Sequence, residues 1–453
     1  MRKACIQQLP LVEAAPDHPK AKELARISEI LDNNTSIYDL VLQDLVSPDD
    51  NEVGARGMTA EQVLRAAIIK QMEGYSYREL AFHLVDSRAY SRFCRIGFGR
   101  LFRKSTLQRC IKAISDGTWE QINIILITYA DSAGIEKGRK ARVDCTVVES
   151  NIHAPYDSDL LFDAVRVLGR AMKRLKIEVS GLSFTFADNY RRAKKRNLGI
   201  MNAKNGAERK KLYRDLIMVT EKNIRYGEQC LQAIKSFKAS TLEEHALVGR
   251  TREQLVHSLP LARQVVCQAR RRIFDDESVP ALEKIVSIFE PHTDIIRKDR
   301  RDTYYGHKIC LTGGASNLIL DCVILKGNPA DSTLTEIMLD RQNEIYGQYP
   351  LNVSFDGGFA SKENLKRAKG KKGLKDICFS KGRGLAVEDM CRSSWVYKQL
   401  RNFRAGIESG ISWLKRSLGL DRCTWKGFDS FKSYVWASIV SANLLTIARK
   451  QLA

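Results

Sequence analysis

Hydrophobic residues recur at helical spacing towards the end of the chain. Because an α-helix turns by about 100° per residue, one face of the segment 401–418 collects only apolar side chains. These are Phe403, Ile407, Ile411, Leu414 and Leu418. Arg404, Glu408 and Lys415 lie together along the edge of that face. A solvated salt bridge between Arg404 and Glu408 is the simplest interpretation, and a functional carboxylate is the alternative.

The first third of the chain has the signals of short helices. One helix is predicted over roughly Lys20 to Leu31, and the polar stretch SPDDNEVGARG then resembles a linker. The next helix has Thr59 as its N-cap and Gly74 as its stop. Three shorter pieces with Ser near their starts follow: SYRELAFHL, SRAYSRFCRIGF and STLQRCIKAI, the last of which opens at Ser105. This pattern is typical of a helix-turn-helix DNA-binding domain, and three-helix packing without a DNA role fits it nearly as well.

The middle of the chain changes from strand to helix. ARVDCTVVES is rich in β-branched residues and predicts a strand, after which more than a hundred residues are helical. Within them a 4-3-4-3 spacing is typical of a coiled-coil seam. The seam consists of Leu161, Val165, Leu168, Met172 and Leu175.

Strand patterns return at Lys284 and alternate with helices to the end. This order predicts an α/β fold with a mixed sheet, matching a ribonuclease H-like core with a helical insertion between its first and second strands. Five segments follow from it. They are an N-terminal arm and linker (1–57), a helical DNA-binding domain (58–135), the first part of the core (136–157), the helical insertion (158–283) and the rest of the core (284–453).

The charge of the chain indicates which class of molecule it binds. With 74 Lys and Arg against 53 Asp and Glu, the net charge is +21 at pH 7, which predicts a polyanion such as nucleic acid. A merely basic or ribosome-associated protein is the alternative. The N-terminal helices carry a basic cluster of Arg100, Arg103, Lys104 and Arg109. In the helical middle, the runs RRAKKR, ERKK and RRR are candidates for phosphate contacts.

Other features predict a cytoplasmic protein. The start of the chain lacks the apolar core of a secretory signal. The apolar run YVWASIVSANLLTIA is too short and too polar for a membrane span, so it predicts a C-terminal core helix. The eleven cysteines include no CxxC pair, which favours a reducing compartment over disulfides or a zinc module.

Three carboxylates carry the predicted chemistry. Asp144 lies in the first core strand, and Asp356 ends the strand of SFDGGFAS, where Gly357 and Gly358 leave room for a phosphate or ion. Glu408 completes the group from the late helix. Three converging carboxylates repel one another, and two hard cations such as Mg²⁺ relieve that repulsion. Two ions about 4 Å apart support in-line attack on a phosphodiester.

These motifs resemble those of the DDE transposases of bacterial insertion sequences. Arg404, Glu408 and Lys415 are spaced as in the Y-x2-R-x3-E-x6-K signature, whose tyrosine position holds Arg401 here. VDCTVVES and SFDGGFAS resemble the two Asp strands of the family, and GMTAEQVLRAAIIKQMEGYSYRELAFHL resembles its N-terminal DNA-binding segment.

The resemblance implies a Mg²⁺-dependent DNA transposase in which Asp144, Asp356 and Glu408 bind two metal ions, with Mn²⁺ able to substitute. Such an enzyme cuts the insertion-sequence ends and joins the 3′-hydroxyl to target DNA. Arg404 and Lys415 would hold phosphates near the scissile bond, and Arg401 is placed to contact another.

The implied partners are the terminal inverted repeats and the target DNA, with no membrane. The protein would act in the bacterial nucleoid as a homodimer or larger assembly, and the seam from Leu161 to Leu175 is a candidate interface. Two other functions stay open. One is an inactive or repurposed DNA-binding relative, and the other is a ribonuclease H-like nuclease without strand transfer.

Overall fold

The computed structural model of the protein describes residues 17–46, 57–97, 101–298 and 302–453. Contacts within the chain group it into two compact units. Of the described residues, the first unit combines those up to Val148 with 308–325 and 329–453, and the second combines those within 149–307 with 326–328. The predicted linker falls almost entirely on residues 47–56, which lie outside the described ranges.

Seven helices precede the first strand in the part of the first unit that is described. They are α1 (Pro19–Asp32), α2 (Ser36–Leu45), α3 (Ala60–Glu73), α4 (Tyr77–Asp86), α5 (Arg88–Phe93), α6 (Lys104–Ala113) and α7 (Asp116–Ser132). Thr59 caps α3 through a reciprocal capping box with Gln62, and Gly74 ends it in the left-handed conformation, as the sequence predicts. α6 begins one residue before Ser105, and Arg103 stands at its N-cap position without a side-chain cap.

The sheet of the first unit is mixed. Its strands are β1 (Lys140–Glu149), the later part of β3 (Asp302–Gly313), β4 (Ile319–Ile324), β5 (Asn352–Phe355) and β6 (Asp376–Phe379). The order is β3–β1–β5–β6, with β4 paired to β3. β5 is parallel to both β1 and β6, whereas β3 and β4 are antiparallel. This α/β arrangement fits a ribonuclease H-like core.

Helices complete the first unit: α12 (Thr335–Tyr346), α13 (Lys362–Lys369), α14 (Val387–Met390), α15 (Ser394–Ser417) and α16 (Phe428–Leu452). α15 buries the predicted apolar face, with Ile407, Ile411 and Leu414 in the core. α16 is buried along almost its whole length and packs against α3 and α7, so the predicted C-terminal core helix is confirmed. Among the described residues, none of the helices has the length and apolar content needed to cross a membrane.

The second unit has a hydrophobic core of its own. It consists of α8 (Asp157–Glu178), α9 (Tyr190–Met201), α10 (Gly206–Ser236) and α11 (Leu242–Ile273), with β2 (Asp294–Lys298) paired to the start of β3. The predicted seam from Leu161 to Leu175 is buried in this core. Its use as an interface between subunits is therefore wrong, because its partners are α10 and α11 of the same chain. The strand predicted from Lys284 also begins later, at Asp294.

Candidate active site

Two neighbouring strands bring Asp144 and Asp356 side by side. In the parallel pair of β1 and β5, Val143 lies opposite Phe355. Asp144 and Asp356 are the next residues along the two chains. Because parallel strands run in the same direction, both carboxylates lie beyond the last register pair, side by side. The strands that carry these two residues are therefore neighbours, as the sequence predicts.

One guanidinium group contacts all three predicted carboxylates. Arg404 Nη2 lies 3.1 Å from Asp144 Oδ2 and 3.3 Å from Asp356 Oδ1. Its Nη1 lies 2.9 Å from Glu408 Oε1. The side chain of Arg404 is only 17% exposed, whereas that of Glu408 is 59% exposed. A simple solvated pair of Arg404 and Glu408 does not describe this arrangement, because the arginine joins residues from β1, from the end of β5 and from α15.

The surroundings of Asp356 stabilise its ionised form. Burial of the carboxylate acts to raise its pKa, but hydrogen bonds from the Gly357 amide and the Ser380 hydroxyl lower it, together with the charges of Arg404 and Lys381. The net result is a pKa below the usual value for aspartate. The Ser380 Oγ donates to Asp356 Oδ1 at 2.9 Å. The Asp356 carboxylate is therefore ionised at neutral pH.

A hydrogen bond from the backbone of β1 orients the Asp144 carboxylate. The backbone N–H of Cys145 donates to Asp144 Oδ1 at 2.8 Å, while Oδ2 accepts from Arg404. The Cys145 side chain is buried next to Cys310 on β3, and a hydrogen bond with that thiol, followed by burial, raises its pKa. Cys145 is thus an uncharged packing residue beside Asp144 at neutral pH.

The two glycines after Asp356 are close to other side chains. A Cβ on Gly357 would lie 2.8 Å from Lys381 Cβ, and one on Gly358 would lie 2.6 Å from Asp331 Oδ2. Protein atoms therefore occupy the space that a side chain at position 357 or 358 would need. The sequence analysis did not predict either Lys381 or Asp331 near the site.

The sequence did contain one signal for these neighbours. Ser380 and Lys381 follow β6 directly, and β6 is parallel to β5, so both residues belong to the edge of the sheet that holds Asp356. A pattern of two parallel strands that end at the same edge of the sheet could have identified Ser380 and Lys381. Asp331 has no such signal, because it lies in a 3₁₀ turn before α12 and is paired with Lys308.

Arg142 fixes α15 to β1. It lies two residues before Asp144, is 5% exposed, and donates from Nη1 to the Phe403 carbonyl at 3.0 Å and from Nη2 to Asn317 Oδ1 at 2.5 Å. Its guanidinium also lies 4.7 Å from the centre of the Phe403 ring. A Cβ on Gly406 would overlap Arg142 Nη1. Only a glycine at position 406 allows this close approach between helix and strand.

The donor set fits a hard divalent cation by its chemistry. All three side chains offer carboxylate oxygens, the ligands that Mg²⁺ prefers. Among the described residues, however, no group of three or more His, Cys, Asp and Glu side chains is arranged to hold a metal ion. The guanidinium of Arg404 lies between the carboxylates and neutralises part of their charge. A cation is therefore already the partner of all three.

The other predicted phosphate contacts lie elsewhere on α15 and on or next to α6. Arg401 is exposed on α15, and the ion pair of Lys415 is with Asp421, 3.7 Å away. Arg103, Lys104 and Arg109 are exposed on or next to α6, whose opposite face buries Leu107 and Ile111. Arg100 lies outside the described residues.

Two family models match the chain. Residues 269–444 match the Transposase DDE domain, and residues 12–113 match a Transposase domain, DUF772. The first match includes Asp356, Arg404 and Glu408, and Asp144 precedes it in the chain. No curated protein and no solved structure matches the chain.

Proposed function

Because the chain belongs to the DDE transposases of the insertion-sequence type, we propose that it cuts the ends of such an element and joins the freed 3′-hydroxyl to target DNA. The observation that supports this most directly is the contact of Arg404 with Asp144, Asp356 and Glu408. Residues separated by more than 200 positions converge there inside a protein of net charge +21. A basic protein attracts DNA, and an acidic centre within it is what metal-dependent phosphoryl transfer requires.

Asp144, Asp356 and Glu408 would hold two Mg²⁺ ions, or Mn²⁺ in their place. Bound ions of this kind activate the attacking oxygen and stabilise the charge on the leaving oxygen. The lowered pKa of Asp356 supports its role, because an ionised carboxylate binds a cation without first losing a proton.

The Arg404 guanidinium can pair with either of two kinds of acceptor, a carboxylate or a phosphate. Carboxylate and phosphate oxygens both accept paired hydrogen bonds from a guanidinium. We expect Arg404 to exchange carboxylate for phosphate oxygens when DNA occupies the site, and so to position the scissile phosphate. Lys415 lies about two helical turns after Glu408 on α15. Arg401 lies three residues, or just under one turn, before Arg404. Both would contact phosphates further along the strand.

The remaining parts of the chain would bind and pair the DNA ends. We propose that the N-terminal helices form a helix-turn-helix domain that reads the terminal inverted repeats, with Arg103, Lys104 and Arg109 exposed for phosphates. The helical insertion between β1 and β3 would support an assembly of two or more subunits on DNA in the nucleoid.

The test is a plasmid assay with the terminal repeats of the element itself. Wild-type protein, Glu408→Gln and the control Glu344→Gln, which changes an exposed glutamate of α12, are each incubated with Mg²⁺ or Mn²⁺. The new 3′ ends are then mapped. We expect cuts at the repeats and joining to a second plasmid with wild type and the control, and neither with Glu408→Gln.

Other outcomes identify the alternatives. Binding to the ends without metal-dependent cutting by any of the three proteins would favour a repurposed DNA-binding protein. Cutting without joining would favour a ribonuclease H-like nuclease. Equal activity of Glu408→Gln and wild type would remove Glu408 from the active site.

A further inference from the structure

The three basic runs of the second unit differ in what their side chains contact. The run RRR is held by carboxylates: Arg270 pairs with Glu221 at 2.6 Å, Arg271 with Glu277 at 2.5 Å and Glu283 at 2.7 Å, and Arg272 with Asp157 at 2.5 Å. These arginines stabilise the fold of the unit. Their charges are largely compensated, so they are poor candidates for binding another molecule.

Helix α9 presents a different surface. Ala193, Asn197 and Ile200 face the core, at positions i, i+4 and i+7. The opposite face carries three exposed cations: Arg191, Lys194 and Lys195. These are spaced i, i+3 and i+4, so they lie on one side of the helix. None of them forms an ion pair with another residue in the described part of the chain.

The start of α10 extends this surface. A Cβ on Gly199 would lie 3.2 Å from Leu212 Cδ1, so the end of α9 packs against the first turns of α10. Arg192 and Arg196 both pair with Asp215 of α10 and fix the two helices together. Residues 188–215 contain ten Lys and Arg against two Asp and one Glu, a net charge of +7. Arg209 and Lys211 are exposed at the start of α10.

We propose that the exposed cations of α9 and the start of α10 bind the phosphates of duplex DNA. We call this the α9 surface: Arg191, Lys194, Lys195, Arg209 and Lys211. Like charges so close together repel one another, and a row of phosphates relieves that repulsion while releasing counterions. The choice of DNA over another polyanion rests on the proposed transposase function. The surface would add sequence-independent affinity to whatever the N-terminal helices recognise.

The test compares two full-length variants from which the same number of charges has been removed. Arg191→Gln/Lys194→Gln/Lys195→Gln removes three cations from the α9 surface. Arg263→Gln/Arg270→Gln/Arg271→Gln removes three cations of the same unit that are paired with carboxylates. Binding of a labelled duplex of random sequence is measured at several salt concentrations in a chelator, so that no cutting occurs.

We expect the α9 variant to bind duplex DNA about tenfold more weakly or worse at low salt. The salt dependence should also become less steep, by about 0.9 for each DNA phosphate that the variant no longer neutralises. The control variant should keep the wild-type slope. Thermal unfolding of both variants shows whether either has lost its fold, and the α9 variant, whose changed side chains are exposed, should melt as wild type does.

Each other result overturns the assignment in a distinguishable way. Wild-type slopes in both variants, or equal reductions in both, would show that the α9 surface does not bind phosphates although the protein binds DNA. Stronger capture of anionic vesicles or single-stranded RNA than of duplex DNA by the α9 surface would show a different ligand. Absence of any DNA binding by wild type would remove the proposed function and the surface together.

Discussion

At the scale of single residues, Arg404 decides the charge of the active site. Replacing it with Gln leaves Asp144, Asp356 and Glu408 without the cation that contacts all three. Their mutual repulsion then favours a divalent ion, so we expect Arg404→Gln to bind Mn²⁺ several-fold to about tenfold more tightly. Cleavage should nevertheless fall by about 10²–10³, because the variant lacks the group that we propose to stabilise the reacting phosphate. Calorimetry or electron paramagnetic resonance measures the first effect and the plasmid assay the second.

Lys415→Gln provides the matched control for this prediction. It also removes one positive charge from α15, but two helical turns beyond Glu408, where the ion pair is with Asp421. Its Mn²⁺ affinity should stay close to that of wild type. Weaker Mn²⁺ binding by Arg404→Gln than by wild type would show that the arginine helps to assemble the site and does not compete with metal.

Ser380 makes a second residue-scale prediction through Asp356. Its hydroxyl donates to Asp356 and helps to lower the pKa of that carboxyl, so Ser380→Ala should raise this pKa, and Ser380→Thr should keep it low. A lowered pKa stabilises the fold above the unfolded-state value, and this stabilisation is lost as the pH falls through the folded-state value. The stability difference between Ser380→Ala and wild type should therefore be present at neutral pH and shrink in acid. Carbon-13 titration of Asp356 and denaturant unfolding check the two effects. An unchanged titration in Ser380→Ala would contradict the assigned cause.

At the scale of elements, the contact between β1 and α15 positions Glu408 relative to Asp144. A methyl group at Gly406 would collide with Arg142, so Gly406→Ala should destabilise the protein by about 1–3 kcal/mol through overpacking. Cleavage should fall as well, because α15 must move. Gly410→Ala on the same helix is the control. A Cβ there meets nothing within 4 Å, so it should stabilise α15 by about 1 kcal/mol or less.

A double variant separates the collision from a general effect of alanine at position 406. Arg142→Met replaces the guanidinium group that approaches Gly406 with an uncharged thioether. If the collision is the cause, adding Gly406→Ala to Arg142→Met should cost less stability than adding it to wild type. Equal costs in the two backgrounds, measured by denaturant unfolding, would show that Arg142 and Gly406 do not interact.

The elements also show what the sequence could predict. The N-cap Thr59, the stop Gly74 and the apolar face of α15 are local signals, and the structure confirms them. The contact of Arg142 with Gly406 joins residues more than 260 positions apart, and hydrophobic periodicity carries no information about such pairs. The prediction of a strand from Lys284 is wrong for a related reason. Ile285 and Ile288 pack into the core of the second unit from irregular backbone, so apolar residues alone did not determine a strand.

At the scale of the whole molecule, the two units have separate hydrophobic cores. Leu168 is fully buried in the second unit and Leu414 in the first. Replacing either with Ala should cost about 2–5 kcal/mol of local stability. Because the two cores share no residue, we expect Leu168→Ala to lower hydrogen-exchange protection mainly in α8, α10 and α11, and Leu414→Ala mainly in α3, α15 and α16.

The same pair of variants connects stability to function. The carboxylates that we propose as metal ligands, Asp144, Asp356 and Glu408, all belong to the first unit. At a temperature where Leu168→Ala has opened the second unit, Mn²⁺ affinity should therefore persist, whereas duplex binding should weaken because the α9 surface is no longer assembled. Leu414→Ala should have the opposite pattern, since α15 carries Glu408 on the helix that this leucine anchors. A simultaneous fall of protection in both units and of Mn²⁺ affinity in Leu168→Ala would show that the protein unfolds as a single cooperative body.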